Sequence, residues 1–196
     1  MPLLAWDVGP GDAVFTTPFT FIATAEVIQL LGATPIFVDI DPKTYNISPE
    51  LLDDAITEVI EKGELNPKVI IPVDLFGLPA DYAAIELISK KYDIKILEDA
   101  AQGFGGQIDD RLAGSFGDAA STSFFPAKPL GCYGDGGAIF TDDDELYEKL
   151  VSVRVHGKGG DKYDNVRIGL NGRMDTLQAA IVLEKFTLFP TEVKLR

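Results

Sequence analysis

Lys128 lies between Pro126 and Pro129, in a stretch that carries no other charged residue from Ala119 to Tyr133. A lysine so placed is partly shielded from water, and desolvation disfavours the ammonium and leaves a nucleophilic amine. Taken alone, a lysine in a loop is ordinarily a plain surface residue; its uncharged, proline-flanked setting is what raises a chemical role. A second segment, Ile94 to Gln102 (IKILEDAAQ), puts Glu98 and Asp99 at the carboxyl end of an apolar, strand-like run. Open α/β sheets bind their ligands at that end of the strands. An acid there also commonly caps the following loop, so this segment is ambiguous by itself. Together, an amine nucleophile and a strand-end carboxylate make the pair that a pyridoxal phosphate site requires. The lysine forms the Schiff base, and the aspartate keeps the pyridine nitrogen protonated so that the ring accepts electrons.

Other chemistries find less support. The chain has no G-x-x-x-x-G-K-[ST] phosphate loop, and its glycine clusters near Gly103 and Gly134 do not form G-x-G-x-x-G after a strand. Ala113-Gly114-Ser115-Phe116-Gly117 misses the G-x-S-x-G elbow at its first residue. His156 and Cys132 are the sole residues of their kinds, so no His/Cys metal site and no disulfide within the chain can be built. A Ser-His-Asp triad is possible by count, but no spacing points to it.

The elements that must position this chemistry belong to a chain of 196 residues with a formal net charge of −14, long enough to bury a core without disulfides or metal. So acidic a chain repels phosphate backbones and anionic lipid surfaces, which argues against nucleic-acid and membrane partners. The longest uncharged run, Ala13 to Ala25, has 13 residues and several threonines, too short and polar to span a bilayer. Met1 to Asp7 lacks the basic region of a signal peptide, and a cytoplasmic location is expected.

Apolar β-branched runs at Ala33–Asp39, Lys68–Val73 and Asp93–Leu97 read as strands buried on both faces of a parallel sheet. Helical patterns cover Phe21–Leu31, Pro49–Lys62 and Asp81–Lys91. The second carries Ser48 as N-cap, Pro49 at the first helical position and Gly63 past its end. Asp81 can cap the third. This βαβαβ series implies a layered α/β domain. Ala119–Phe125 and Gly137–Thr141 are then separated only by a glycine-rich loop, which predicts one antiparallel strand in a mostly parallel sheet with helices on both faces. A helix from the Thr141 acid cluster to Arg154 follows, its acids at the positive end of the dipole. A polar loop at Gly157–Asn165 and a last helix at Met174–Leu188 complete the reading.

At this point several motifs, in order, resemble a known family: Gly11-Asp12 then TTPFTFIATA, GATPIFVDI, LEDAAQ, SFFPAKPLG and GDGGAI. They are similar to the DegT/DnrJ/StrS-type sugar aminotransferases, fold type I enzymes that use pyridoxal 5'-phosphate, and the resemblance runs from about Val8 to the C-terminus. It implies that Lys128 is the Schiff-base lysine and Asp99 the pyridinium partner. It also implies that Gln102 lies beside the ring hydroxyl, that Phe21 stacks on the pyridine face and that Ser123 donates to the cofactor phosphate. Phe21 could instead be the first core residue of its helix. Asn171, in G-L-N-G-R, resembles the asparagine that reaches the phosphate of a neighbouring subunit, which implies a homodimer; an Asn between glycines is otherwise a turn residue. Arg154 and His156 fall in a similar R-x-H-G stretch without an assigned role.

The resemblance implies transfer of an amino group from an amino acid, glutamate by expectation, to a nucleotide-linked keto sugar. Such sugars serve cell-surface polysaccharides or secondary metabolites. Family members are far longer. Residues 1–196 therefore read as part of the large cofactor domain, without the upstream Gly-Thr segment that helps hold the phosphate and without the small C-terminal domain. Two alternatives stand beside this reading: a non-catalytic truncated remnant, and a pyridoxal-phosphate sugar dehydratase, whose members resemble this chain with histidine where Lys128 stands.

Overall fold

The computed structural model describes residues 1–161 and 163–195. Its centre is a six-stranded sheet in the order β2-β1-β3-β4-β7-β8. The strands are β1 (Asp12–Thr16), β2 (Thr34–Phe37), β3 (Asn66–Ile71), β4 (Lys95–Asp99), β7 (Ala119–Ser123) and β8 (Gly137–Phe140). A small antiparallel hairpin, β5 (Gln107–Ile108) and β6 (Arg111–Leu112), rises between β4 and β7. All neighbours in the large sheet are parallel except β7 and β8, which pair antiparallel, as the helix-free connection between them requires.

Helices cover both faces. On one side α3 (Pro49–Lys62) and α4 (Tyr82–Tyr92) pack Leu52, Ile56 and Ile85 onto Ala13, Phe15, Ile70 and Ile96. On the other, α1 (Pro2–Ala5), α2 (Ala23–Leu30) and α5 (Asp144–Val153) pack Leu3, Ile28 and Leu150 onto Val14, Val69, Ile71 and Leu97. Successive residues of β3 and β4 thus serve opposite cores, which is why they read as continuous apolar runs, whereas β2, expected to be buried on both faces, is a partly exposed edge strand. A third cluster joins α6 (Thr176–Phe186) and α7 (Phe189–Lys194), through Val182 and Phe189, to Phe124, Leu130 and Cys132.

Local chemistry accounts for most boundaries. Ser48 Oγ accepts from Leu51 N–H at 3.3 Å, and Gly63 closes α3 in the left-handed region at φ 64°. Asp81 caps α4 and Asp143 caps α5. Asp93, expected as the start of a strand, is instead the left-handed cap that ends α4 (φ 55°), so β4 begins two residues later and runs on through Glu98 and Asp99.

Four expectations need correction. β1 is a fully buried strand inside the sheet, formed by a segment that shows in sequence only as an uncharged, threonine-bearing run. The helix expected from Phe21 begins at Ala23, and Phe21 is 69% exposed, so it is not a core residue of that helix. The helix expected from the Thr141 acid cluster begins at Asp144, since Asp143 holds the extended N-cap position. The last helix is two, α6 and α7, bent at Thr187–Leu188. The polar loop holds an antiparallel bridge between Lys158 and Asn165, and its Lys162 lies outside the described residues. Among the described residues no helix is long and apolar enough to cross a membrane.

Candidate active site

Because β1, β3, β4 and β7 run parallel, their carboxyl ends share one edge of the sheet. Five of the six candidate residues sit in or just after those ends. Asp99 closes β4 and Ser123 closes β7; Phe21 follows β1, Gln102 follows β4 and Lys128 follows β7. This is where a doubly covered α/β sheet presents side chains to a ligand.

Asp99 is held from three sides. Its backbone N–H donates to Pro72 O at 2.9 Å, and its carbonyl accepts from Asp74 N–H at 3.1 Å. Its Oδ2 accepts from Thr24 Oγ1 at 2.8 Å and its Oδ1 from Ala101 N–H at 3.1 Å. Burial pushes the carboxyl above the usual range, while Thr24, Ala101 and the Lys128 charge pull it back. A carboxylate offers about four lone-pair positions, so Asp99 keeps acceptor capacity and, being desolvated, gains from a cation set against it.

Lys128 is half-buried in the turn after β7, where its N–H donates to Phe125 O at 2.9 Å. Its ammonium is close enough to Asp99 to act on that carboxyl, and among the described residues Nζ makes no hydrogen bond or ion pair. The turn is anchored by buried Leu130 and by Cys132, whose N–H donates to Phe124 O at 2.7 Å. The amine is therefore carried on a fixed loop and left free at its tip.

Gln102 Oε1 accepts from Phe76 N–H at 3.1 Å, which leaves the Gln102 amide hydrogens to donate elsewhere. Ser123 Oγ accepts from Phe125 N–H at 3.2 Å and retains its own hydrogen. Phe21 presents an exposed ring between β1 and α2. Asn171 makes no hydrogen bond to the other five candidates: it is exposed, bridges Val155 and accepts from Arg173 Nε at 3.1 Å. His156 is exposed at φ 56°, and Arg154 lines a separate cleft of about 780 Å³ with Met1, Phe140 and Tyr147.

Two further residues that no sequence motif marks hold the site: Thr24, which orients Asp99, and Asn46, which braces the turn after β3. Asn46 is buried; its Nδ2 donates to Leu78 O at 3.0 Å and Pro79 O at 3.2 Å, and its Oδ1 accepts from Leu75 N–H at 3.1 Å. Asn46→Ala orphans these groups and is expected to cost about 2 kcal/mol, read as a lower urea midpoint at unchanged slope. A threonine in the first turn of a helix and an asparagine in a loop give no local signal of such roles.

The donor set fits pyridoxal phosphate: a desolvated carboxylate able to hold a pyridinium, a free amine in reach of it, and hydroxyl and amide donors on the same edge. Comparison with known proteins agrees in kind. The model of the DegT/DnrJ/EryC1/StrS aminotransferase family matches residues 1–196. A UDP-2-acetamido-2-deoxy-3-oxo-D-glucuronate aminotransferase of Pseudomonas aeruginosa is 51% identical over 98% of this chain and 52% of its own. The crystal structure of a DegT DnrJ EryC1 StrS aminotransferase from Brucella abortus superposes with a TM-score of 0.96 at 56% identity, over 97% of this chain and 51% of that one. NtdA from Bacillus subtilis, solved with bound PMP, gives 0.87 at 38%, over 97% and 42%. The chain thus spans about half the length of the curated relatives it matches. With the family's model matched from end to end and its fold reproduced, this chain belongs to the DegT/DnrJ/EryC1/StrS aminotransferase family.

Proposed function

We propose that residues 1–196 are the cofactor-binding part of a pyridoxal-phosphate aminotransferase that moves an amino group from an amino acid, glutamate first, to a nucleotide-linked keto sugar. The observation that carries this is Asp99, desolvated at the end of β4 and within electrostatic reach of the free Lys128 amine. Bound there, pyridoxal phosphate would supply an electrophilic carbon and an electron-accepting ring. Lys128 would attach it covalently. Asp99, oriented by Thr24, would hold the positive charge on the ring nitrogen. Gln102 would donate toward the ring hydroxyl, Ser123 toward the phosphate, and Phe21 would cover one ring face. Once displaced by the donor amine, Lys128 Nζ would take the proton from the carbon that bears the amino group and return one to the carbon that receives it.

Asn171, exposed on the surface, would reach the phosphate of a second copy in a homodimer. The substrates in this reading are small molecules in the cytoplasm. The names of relatives such as the Pseudomonas aeruginosa enzyme support the keto-sugar acceptor. Lysine at position 128 speaks against the dehydratase alternative.

The test mixes the purified chain with pyridoxal phosphate, reduces with borohydride and maps the adduct by mass spectrometry. One pyridoxyl group on Lys128, lost in Lys128→Ala, is expected. No adduct, or label scattered over exposed lysines, would favour the non-catalytic remnant.

A further inference from the structure

Directly behind Asp99 lie two buried acids that the proposed chemistry leaves unused. Asp74 follows β3 and Glu98 precedes Asp99 on β4, and both are fully buried. Asp74 Oδ1 accepts from Ala80 N–H at 3.1 Å and Tyr82 Oη at 2.8 Å, while Asp74 Oδ2 meets no donor. Glu98 is the reverse, with a donor on each oxygen: Oε1 accepts from Gly114 N–H at 2.5 Å and Oε2 from Phe116 N–H at 2.8 Å. The two carboxyl groups lie close enough to act on each other, each shifting the other's proton affinity. Two acceptors can meet so only if one carries a proton, and Asp74 Oδ2 is the oxygen without a donor.

We propose that Asp74 is a positioning residue that stays protonated at neutral pH, donates through Oδ2–H to the Glu98 carboxylate, and thereby ties the turn after β3 to the strand end that presents Asp99. The turn holds Asp99 and Gln102 directly: Asp74 N–H donates to Asp99 O, and Phe76 N–H to Gln102 Oε1. Gly103 packs directly on the Asp74 side chain, since a methyl there would sit 2.3 Å from Asp74 Cβ and 2.7 Å from Oδ2.

The donors place the proton on Asp74, since both Glu98 oxygens already accept backbone N–H groups and Asp74 Oδ2 has no donor. Burial first, then Glu98, pushes the Asp74 carboxyl up to about 9. Glu98 is raised by burial but pulled back by Asp74, its two backbone donors and Arg111. Arg111 belongs to β6, pairs with Glu86 of α4 at 2.9 Å and lies 4.3 Å over the Phe116 ring. Phe116 in turn stacks on Tyr82 at 4.1 Å. Asp99, the remaining acid on β4, also acts on Tyr82. Above the ordinary carboxylate range the folded chain therefore holds a proton at Asp74 that the unfolded chain has lost. Stability from this site is complete at acid pH and falls as pH rises through about 9.

The shared proton stands without the cofactor assignment; its consequence for the cofactor rests on that reading. Carbon-13 NMR of aspartate side-chain carboxyls, without cofactor, is the test of the first, with backbone-connected assignment and Asp74→Asn as check. Asp74 should keep a carboxylic-acid shift at pH 7 and titrate near 9. Titration near pH 4 would overturn the proposal. In parallel, urea stability between pH 5 and 9 should fall more steeply in the parent than in Asp74→Asn, and equal profiles would count against it. For the positioning role, pyridoxal phosphate affinity measured by absorbance should change less than twofold in Asp74→Asn, whose amide still donates to Glu98. It should weaken at least tenfold in Asp74→Ala. Parent-like affinity in Asp74→Ala would refute positioning. Absence of binding in the parent would instead overturn the cofactor reading, leaving the carbon-13 result to decide the proton.

Discussion

An Asp99→Asn chain is expected to fold normally and to take up pyridoxal phosphate, yet, within a full-length protein, to transaminate on the order of 10–10²-fold more slowly than its parent. Folding should survive because the amide reproduces the local bonds. Asn Oδ1 still accepts the Ala101 N–H, and Nδ2 can donate to Thr24 Oγ1. That hydroxyl can turn its own hydrogen toward Thr20 Oγ1, 3.5 Å away. What the amide cannot do is carry the charge that holds a ring nitrogen protonated in a dry site. A charge-assisted bond of this kind is worth roughly 1.5–3 kcal/mol, which converts to the rate loss stated. Steady-state kinetics at saturating cofactor, with the urea midpoint as folding control, provide the check. Rates within twofold of the parent would remove Asp99 from its electrostatic role.

The same carboxylate shows how far a single chain can be read. Asp99 at a strand end and Lys128 in an uncharged loop were legible because strand ends and proline-flanked loops leave local signatures. So were the Ser48 and Gly63 caps of α3. β1 was not: five residues ending in threonine look like loop until both neighbouring strands, β2 and β3, close over them. Phe21 was ambiguous, since an aromatic before a helix suits a core or an exposed platform equally well, and only the fold exposes its ring. Thr24 and Asn46 act through partners 75 and 29 to 33 residues away, and no local pattern encodes such distances. Asp74, in V-D-L-F-G, repeats the acid-after-apolar-strand pattern of Glu98 and Asp99 and could have been flagged on that ground. Its pairing with Glu98 is a property of adjacent parallel strands and waits on the topology.

That pairing sets up an asymmetry between two substitutions that look equivalent on paper. Glu98→Gln is expected to destabilise the chain by about 4 kcal/mol, although the side chain keeps its shape. Both Glu98 oxygens accept backbone N–H groups, from Gly114 and Phe116, across the turn that follows β6. Glutamine has one oxygen, so either orientation sets an amide N–H₂ against one of those donors. The orphaned donor costs about 1–3 kcal/mol, and loss of the charge-assisted bonds adds to it. Against a total stability of about 5–15 kcal/mol this is a large share. Asp74→Asn should be mild by contrast, because Nδ2–H replaces the Oδ2–H while Oδ1 still accepts from Ala80 and Tyr82. Equilibrium denaturation of both variants at pH 7, with amide exchange at Gly114 and Phe116, separates the two. A mild Glu98→Gln beside a severe Asp74→Asn would put the proton on Glu98 instead.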